Sequence, residues 1–253
     1  FDEVSDNFTR IAVTEGDGVT QLYVEVEKWD ASGKEAWLWA SSENWTFSSS
    51  ANTTLFLYYD NNQSDNTAYV GTSNSSVAHH VWDDNFKAVY HMGDGANSSP
   101  IYDSTSNAYN GTKGAAGEPT EGTGKVGNML NFDGGDEISI STDVSVADND
   151  TYTIEALFRM PDVTDDGAIY GEGSTSDTDP LVMLYGNGVS QVNHNHRDDA
   201  GVARGGPPDS TTLRPNAAGD ATQNTANPAV PNWKILMREQ LIIIHLLFAQ
   251  GRI

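Results

Sequence analysis

Cysteine is absent from the 253 residues, so no disulfide staples the fold and no thiolate is available for catalysis or metal binding. Basic residues are scarce. Thirteen Lys and Arg stand against 36 Asp and Glu, a formal net charge of −23. A field of that sign repels nucleic acid and anionic lipid, and neither is expected as a partner. Long apolar runs are also missing. The most apolar stretch, residues 235–248, is too short to span a bilayer, so no membrane insertion is expected. Within residues 1–88 no segment holds a helical period of apolar residues over several turns. Phosphate loops, Gly-x-Ser-x-Gly elbows and EF-hand spacings do not occur. Phe1-Asp2-Glu3 lacks the basic start and apolar core of a signal peptide, so the chain is expected to begin inside a longer precursor.

What is present is aromatic and polar. Six Trp, ten Tyr and eight Phe argue against a disordered chain, although only 37% of residues are hydrophobic. Gly, Ser, Thr, Asn and Asp are plentiful, which suits many short strands joined by polar turns. The acid excess has two compatible readings. One is solubility in high salt, where self-repulsion is screened; the other is an extracellular protein that takes calcium through oxygen ligands. Asn-x-Ser/Thr acceptors recur, among them Asn7, Asn52, Asn62, Asn74 and Asn110, and lend weak support to export.

Alternation at period two places the strands. Residues 8–14 alternate before the turn Glu15-Gly-Asp-Gly18. In residues 21–29, Leu22, Val24 and Val26 face one way and Tyr23, Glu25 and Glu27 the other. Residues 35–40 follow a Ser-Gly turn, and residues 53–59 are apolar on both faces, which predicts a central strand. The middle of the chain, residues 126–140, reads as a β-hairpin: Met129, Leu130 and Phe132 enter an Asp133-Gly-Gly-Asp136 turn, and Ile138 and Ile140 alternate with Ser139 beyond it. Residues 87–92, 150–159, 168–170 and 181–185 are further strand candidates. From about residue 193 the acid excess ends and a Pro/Gly/Ala-rich stretch runs to Pro231. The last residues, 235–248, read as a closing strand or an amphipathic helix, and 193–253 form an atypical tail.

Two groups of phrases resemble known families. Gln21-Leu-Tyr-Val-Glu-Val-Glu-Lys-Trp29, Ala36-Trp-Leu-Trp39 and Thr53-Thr-Leu-Phe-Leu-Tyr-Tyr59 resemble a β-domain family of unknown function found in bacterial and archaeal surface proteins. Asp60 stands where that family usually has glycine. Val89-Tyr-His-Met92, Asp103-Ser-Thr-Ser-Asn107, Asn110-Gly-Thr112, Gly124-Lys-Val-Gly127, Phe132-Asp-Gly134 and Thr153-Ile-Glu-Ala156 are similar to the opening of laminin-G-like, concanavalin-A-like jelly rolls. Leu157 and Phe158 stand where a tryptophan is expected. The resemblance implies an all-β chain of two β-sandwich units: a domain over 1–88, truncated at its amino terminus, and an incomplete jelly roll over 89–192.

Jelly rolls of this class bind sugars or proteins through edge loops, often beside calcium, and that is what the resemblance implies here. Asp103, Asp133, Asp136 and Glu137 are the candidate calcium ligands; the alternative is that Asp103 and Asp133 only bond turn backbone. Trp82, Tyr102, Tyr109 and Tyr170 are the candidate sugar-stacking aromatics, or else pack at the core edge. For catalysis, Glu25 and Glu27 share a strand face at roughly 6–7 Å, the spacing of paired glycosidase carboxylates. The same alternation describes a solvated sheet face. His79-His80 and His194-x-His196 lack a further ligand at a telling interval for zinc. The expectation is a secreted or cell-surface, non-catalytic module for adhesion or glycan recognition, whose partner is a glycan or an extracellular protein. A structural surface or filament module and a jelly-roll polysaccharide hydrolase or lyase are the alternatives.

Overall fold

The computed structural model describes residues 1–43, 45–46, 50–93, 100–114, 119–133, 136–142, 144, 153–158 and 168–173, and the backbone of strands at 181–186, 192–197 and 243–249. The described residues are mostly strand with almost no helix, 42% against 5%, which places the chain in the all-β class. In order the strands are β1 (Ile11–Thr14), β2 (Gln21–Asp30), β3 (Glu35–Ser41), β4 (Phe56–Tyr59), β5 (Val70–Thr72), β6 (Phe86–Tyr90), β7 (Gly111–Lys113), β8 (Thr120–Thr123), β9 (Asn128–Asn131), β10 (Ile138–Ile140), β11 (Thr153–Leu157), β12 (Ala168–Gly173), β13 (Leu181–Gly186), β14 (Val192–Arg197) and β15 (Ile243–Ala249). Among the described residues the helical pieces are one turn of 3-10 helix, Phe8–Arg10, and the short α1, Ala78–Val81.

The first sheet is built on β2. β3 pairs antiparallel along one edge, while β1, antiparallel, and β5, parallel, pair with successive parts of β2; β4 closes the far side by pairing with β1. The turn from β1 to β2 has a local cause. Asp17 Oδ1 accepts from the Val19 and Thr20 amides, and Gly18 takes φ +72°, which costs glycine nothing. The two faces of β2 are both covered. Leu22, Val24 and Val26 join Val4, Ile11, Val13 and Val70 in one core; each buried aliphatic contributes roughly 1.5–3 kcal/mol relative to an exposed one. On the opposite face Tyr23 packs, with Trp39 of β3, against Val81, Trp82 and Val89.

Residues from β6 onward form a second core around Tyr90, Ile101, Leu130, Ile154 and Phe158. β6 pairs with β15, whose other edge pairs with β11, so part of the carboxy-terminal segment is a closing strand. β12, β13 and β14 form an antiparallel sheet. The domain boundary expected after residue 88 falls inside β6.

Two expectations need correction. Residues 126–140 do not fold back on themselves: β9 pairs with β8, and β10 pairs with β7. The hairpin that does form turns at residues 124–127, where Gly124 N donates to Gly127 O at 3.0 Å and Gly127 has φ +58°. The glycines of the Asp133–Asp136 turn lie outside the described residues. The second correction is β4. Among the described residues it is an edge strand, not a central one, and its four side chains are all exposed.

Candidate functional site

The densest set of chemical groups lies where β2 meets the end of β6. Alternation along β2 turns Glu25 and Glu27 to the face that carries Tyr23 and Trp39, opposite the first core, and the ladder to β3 shifts register between Val26 and Lys28, placing Glu27 on a bulge. His91 follows β6 directly and is held between the two acids. Its Nε2 lies 2.9 Å from Glu25 Oε1 and its Nδ1 3.3 Å from Glu27 Oε2. Ser104 Oγ and Trp82 Nε1 each donate to Glu25 at 2.6 Å, and Trp39 Nε1 donates to Glu27 at 2.7 Å. The indoles of Trp39 and Trp82 stand 5.8 and 6.0 Å from the His91 ring, close enough for a cation–π contribution. Gly127 supplies the last wall. A Cβ there would overlap Glu27 Oε1.

Electrostatics follow from this packing. Burial alone depresses an imidazole, but the hydrogen bonds and charges of Glu25 and Glu27 outweigh it and push His91 up to about 10. Burial raises Glu25, yet His91, Ser104 and Trp82 together hold it below the usual carboxylate value. At neutral pH His91 is therefore an imidazolium bridging two acids. Glu25 and Ser104 have no exposed surface, and His91 is 3% exposed. A Ser, a His and two Glu within reach of one another are a set found in acid–base chemistry, and here all four side chains are buried. The expectation of a solvated Glu face is thus overturned: segments 81–91 and 101–105 cover it.

The candidate calcium ligands are dispersed in role. Asp103 is buried and its two oxygens accept from Val89 N, Thr105 N, Thr105 Oγ1 and Tyr109 N at 2.8–3.0 Å, while Asn110 Oδ1 accepts from Asp103 N. It ties the 101–110 loop to β6, the backbone-bonding alternative. Asp136 Oδ2 accepts from Asp133 N at 2.9 Å, and Asp133 and Glu137 are exposed. Among the described residues no group of three or more His, Asp or Glu is placed to hold a metal ion.

Of the sugar-stacking candidates, Trp82 and Tyr170 are interior. Trp82 lies in a core with its indole bonded to Glu25, and the Tyr170 hydroxyl donates to Glu172. Tyr102 and Tyr109 are half-buried, Tyr109 against the second core. His80 stacks on Tyr23 at 4.5 Å; the side chains of His194 and His196, on β14, lie outside the described residues.

The exposed aromatics are elsewhere. Leu55, Phe56, Leu57, Tyr58 and Tyr59 are all exposed, a continuous run at the edge of the first sheet. Phe56 and Tyr58 lie together at 6.3 Å on one face. Sequence reasoning missed this edge and missed His91, Ser104 and Trp39, because nothing local marks which strand is outermost or which distant segment covers a face. No protein-family model matches the chain, and neither the curated proteins nor the solved structures yield a match.

Proposed function

We propose that the chain is a non-catalytic binding module that meets its partner through β4, as an adhesion or surface-recognition domain does. The observation that carries this reading is the exposed apolar run at residues 55–59. Contiguous apolar surface on an uncharged sheet edge invites aggregation and persists where contact is its use. Beside it the Asp60 turn offers Asn61, Asn62 and Gln63, polar groups suited to an oriented contact. The enclosed Glu25–His91–Glu27 set supports the same reading, since its role is to join β2 to β6.

Glycan and protein partners both belong to this reading. A glycan array and a peptide library, each probed with the wild type and with Tyr58→Ala/Tyr59→Ala, test it. Saturable binding to one class, lost in the double variant with an unchanged circular dichroism spectrum, is the expected result. Binding that survives the double substitution, or release of reducing sugar from polysaccharides that falls on Glu25→Gln, would overturn it.

A further inference from the structure

We infer that the open edge of β4 takes up an extended peptide strand, apolar at alternate positions and basic at both ends. This rests on the binding role proposed for β4 and names its partner. Among the described residues β4 has one ladder, to β1, so every second residue of β4 turns its backbone N–H and C=O away from the sheet. Shortness, four residues, is one protection that β4 has; the others are missing among the described residues. β4 carries no charge and no proline, and its register with β1 runs unbroken from Ile11↔Tyr59 to Thr14↔Phe56, without a bulge.

The side chains point the same way. Leu57 and Tyr59 stand directly across from Val13 and Ile11, and directly opposed residues share a sheet face. Val13 and Ile11 are 6% and 3% exposed and belong to the first core, whereas Leu57 and Tyr59 are 54% and 56% exposed. The core face therefore runs one strand beyond its cover. An added strand with apolar residues at every second position would extend that face and satisfy the outward backbone groups in one step. A sugar would stack on the rings and leave the backbone row unmet.

Charge selects the ends. The acidic turn between β1 and β2 follows Thr14, which pairs with Phe56 at one end of β4; Tyr58 Oη reaches back to donate to Gly18 O at 3.3 Å, and the turn carries Glu15 and Asp17. Asp60 caps the other end, where Arg10 is paired with Asp65 at 3.2 Å, so that two acids stand against one base. Asp17, through Thr20 and Val19, and Asp60, through Asn62 and Gln63, are both held below the usual carboxylate value, so both ends are anionic at neutral pH. A second copy pairing antiparallel through β4 would bring acid against acid at each end, on two chains of net charge −23. A strand with lysine or arginine at its ends meets attraction at both.

Fluorescence anisotropy with two labelled peptides tests this, both of alternating valine and threonine, one flanked by lysine pairs and one by glutamate pairs. The lysine peptide should bind, with an affinity roughly tenfold or more above the glutamate peptide and falling with added salt. Binding should be lost with proline at the peptide centre, and lost in Leu57→Lys, an exposed position whose fold is checked by circular dichroism. Equal affinity for the two peptides, or undiminished binding by Leu57→Lys, would overturn the inference. So would a β4-dependent dimer in sedimentation, which makes the occupant a second copy. Glycan-array binding lost in Leu57→Lys, with both peptides silent, would also overturn it while leaving the binding role of β4 intact.

Discussion

At the scale of single residues, His91 and Glu25 are the groups whose loss the fold tolerates least. Removing one partner of a buried ion pair strands the other in a low-dielectric interior. Glu25→Gln is expected to cost about 3–5 kcal/mol in denaturant unfolding, and Ser104→Ala, which removes one neutral donor, about 1–2 kcal/mol. The pH dependence has a definite sign. His91 rises from its ordinary 6.5 to about 10 on folding, so its contribution is complete below pH 6.5 and is lost as pH climbs through about 10. Glu25 falls below its ordinary 4.5, so its contribution is complete above that value and is lost on acidification. Stability from this pair should therefore plateau between pH 4.5 and 6.5 and decline on the alkaline side by a few kcal/mol. His91→Gln should be less stable throughout and flatten the alkaline limb. Melting curves from pH 5 to 10 would decide it, and a wild-type alkaline limb as flat as the variant's would count against an imidazolium.

At the scale of elements, glycines of similar backbone conformation separate by depth. Gly18 and Gly127 both take positive φ, at +72° and +58°. At Gly18 a methyl would meet only the tip of Tyr58, 3.0 Å away in an exposed turn, whereas at Gly127 it would displace the Glu27 carboxylate from the buried network. Gly18→Ala is expected to cost about 1 kcal/mol and Gly127→Ala at least about twice that, measured by urea unfolding. The same contrast explains what was legible beforehand. The alternation along β2 and the turn at residues 15–18 could be read directly, because side-chain period and Asx chemistry are local. That β4 lies outermost, that β9 pairs with β8, and that Glu25 faces a histidine rather than water depend on segments far along the chain. Between Glu25 and His91 lie the strands β3, β4, β5 and β6 and the short α1, and no interval in the sequence marks them as neighbours. Asp103 was readable in part: an Asp followed by Ser and Thr announces local backbone bonding, and that is the role it fills.

At the scale of the whole molecule, two electrostatic regimes coexist and salt separates them. The surface carries most of a net charge of −23, and its self-repulsion works against the compact state at low ionic strength. Raising sodium chloride from about 0.1 M to about 1 M shortens the screening length from about 10 Å to about 3 Å, so the melting temperature should rise and then level off. The Glu25–His91–Glu27 set lies inside protein, where mobile ions do not penetrate, and the difference in unfolding free energy between wild type and Glu25→Gln should be the same at both salt concentrations within error. That set also joins residues on either side of position 88, together with Val89 packed against Trp82. A fragment ending at residue 88 would retain both glutamates while losing His91, Ser104 and half of β6. It should melt without a cooperative transition at either salt concentration, since screening relieves surface repulsion but supplies no counter-charge to a buried acid. Cooperative unfolding of that fragment, by calorimetry, would show the first sheet to be self-sufficient and would reduce the buried network to an ornament of the interface.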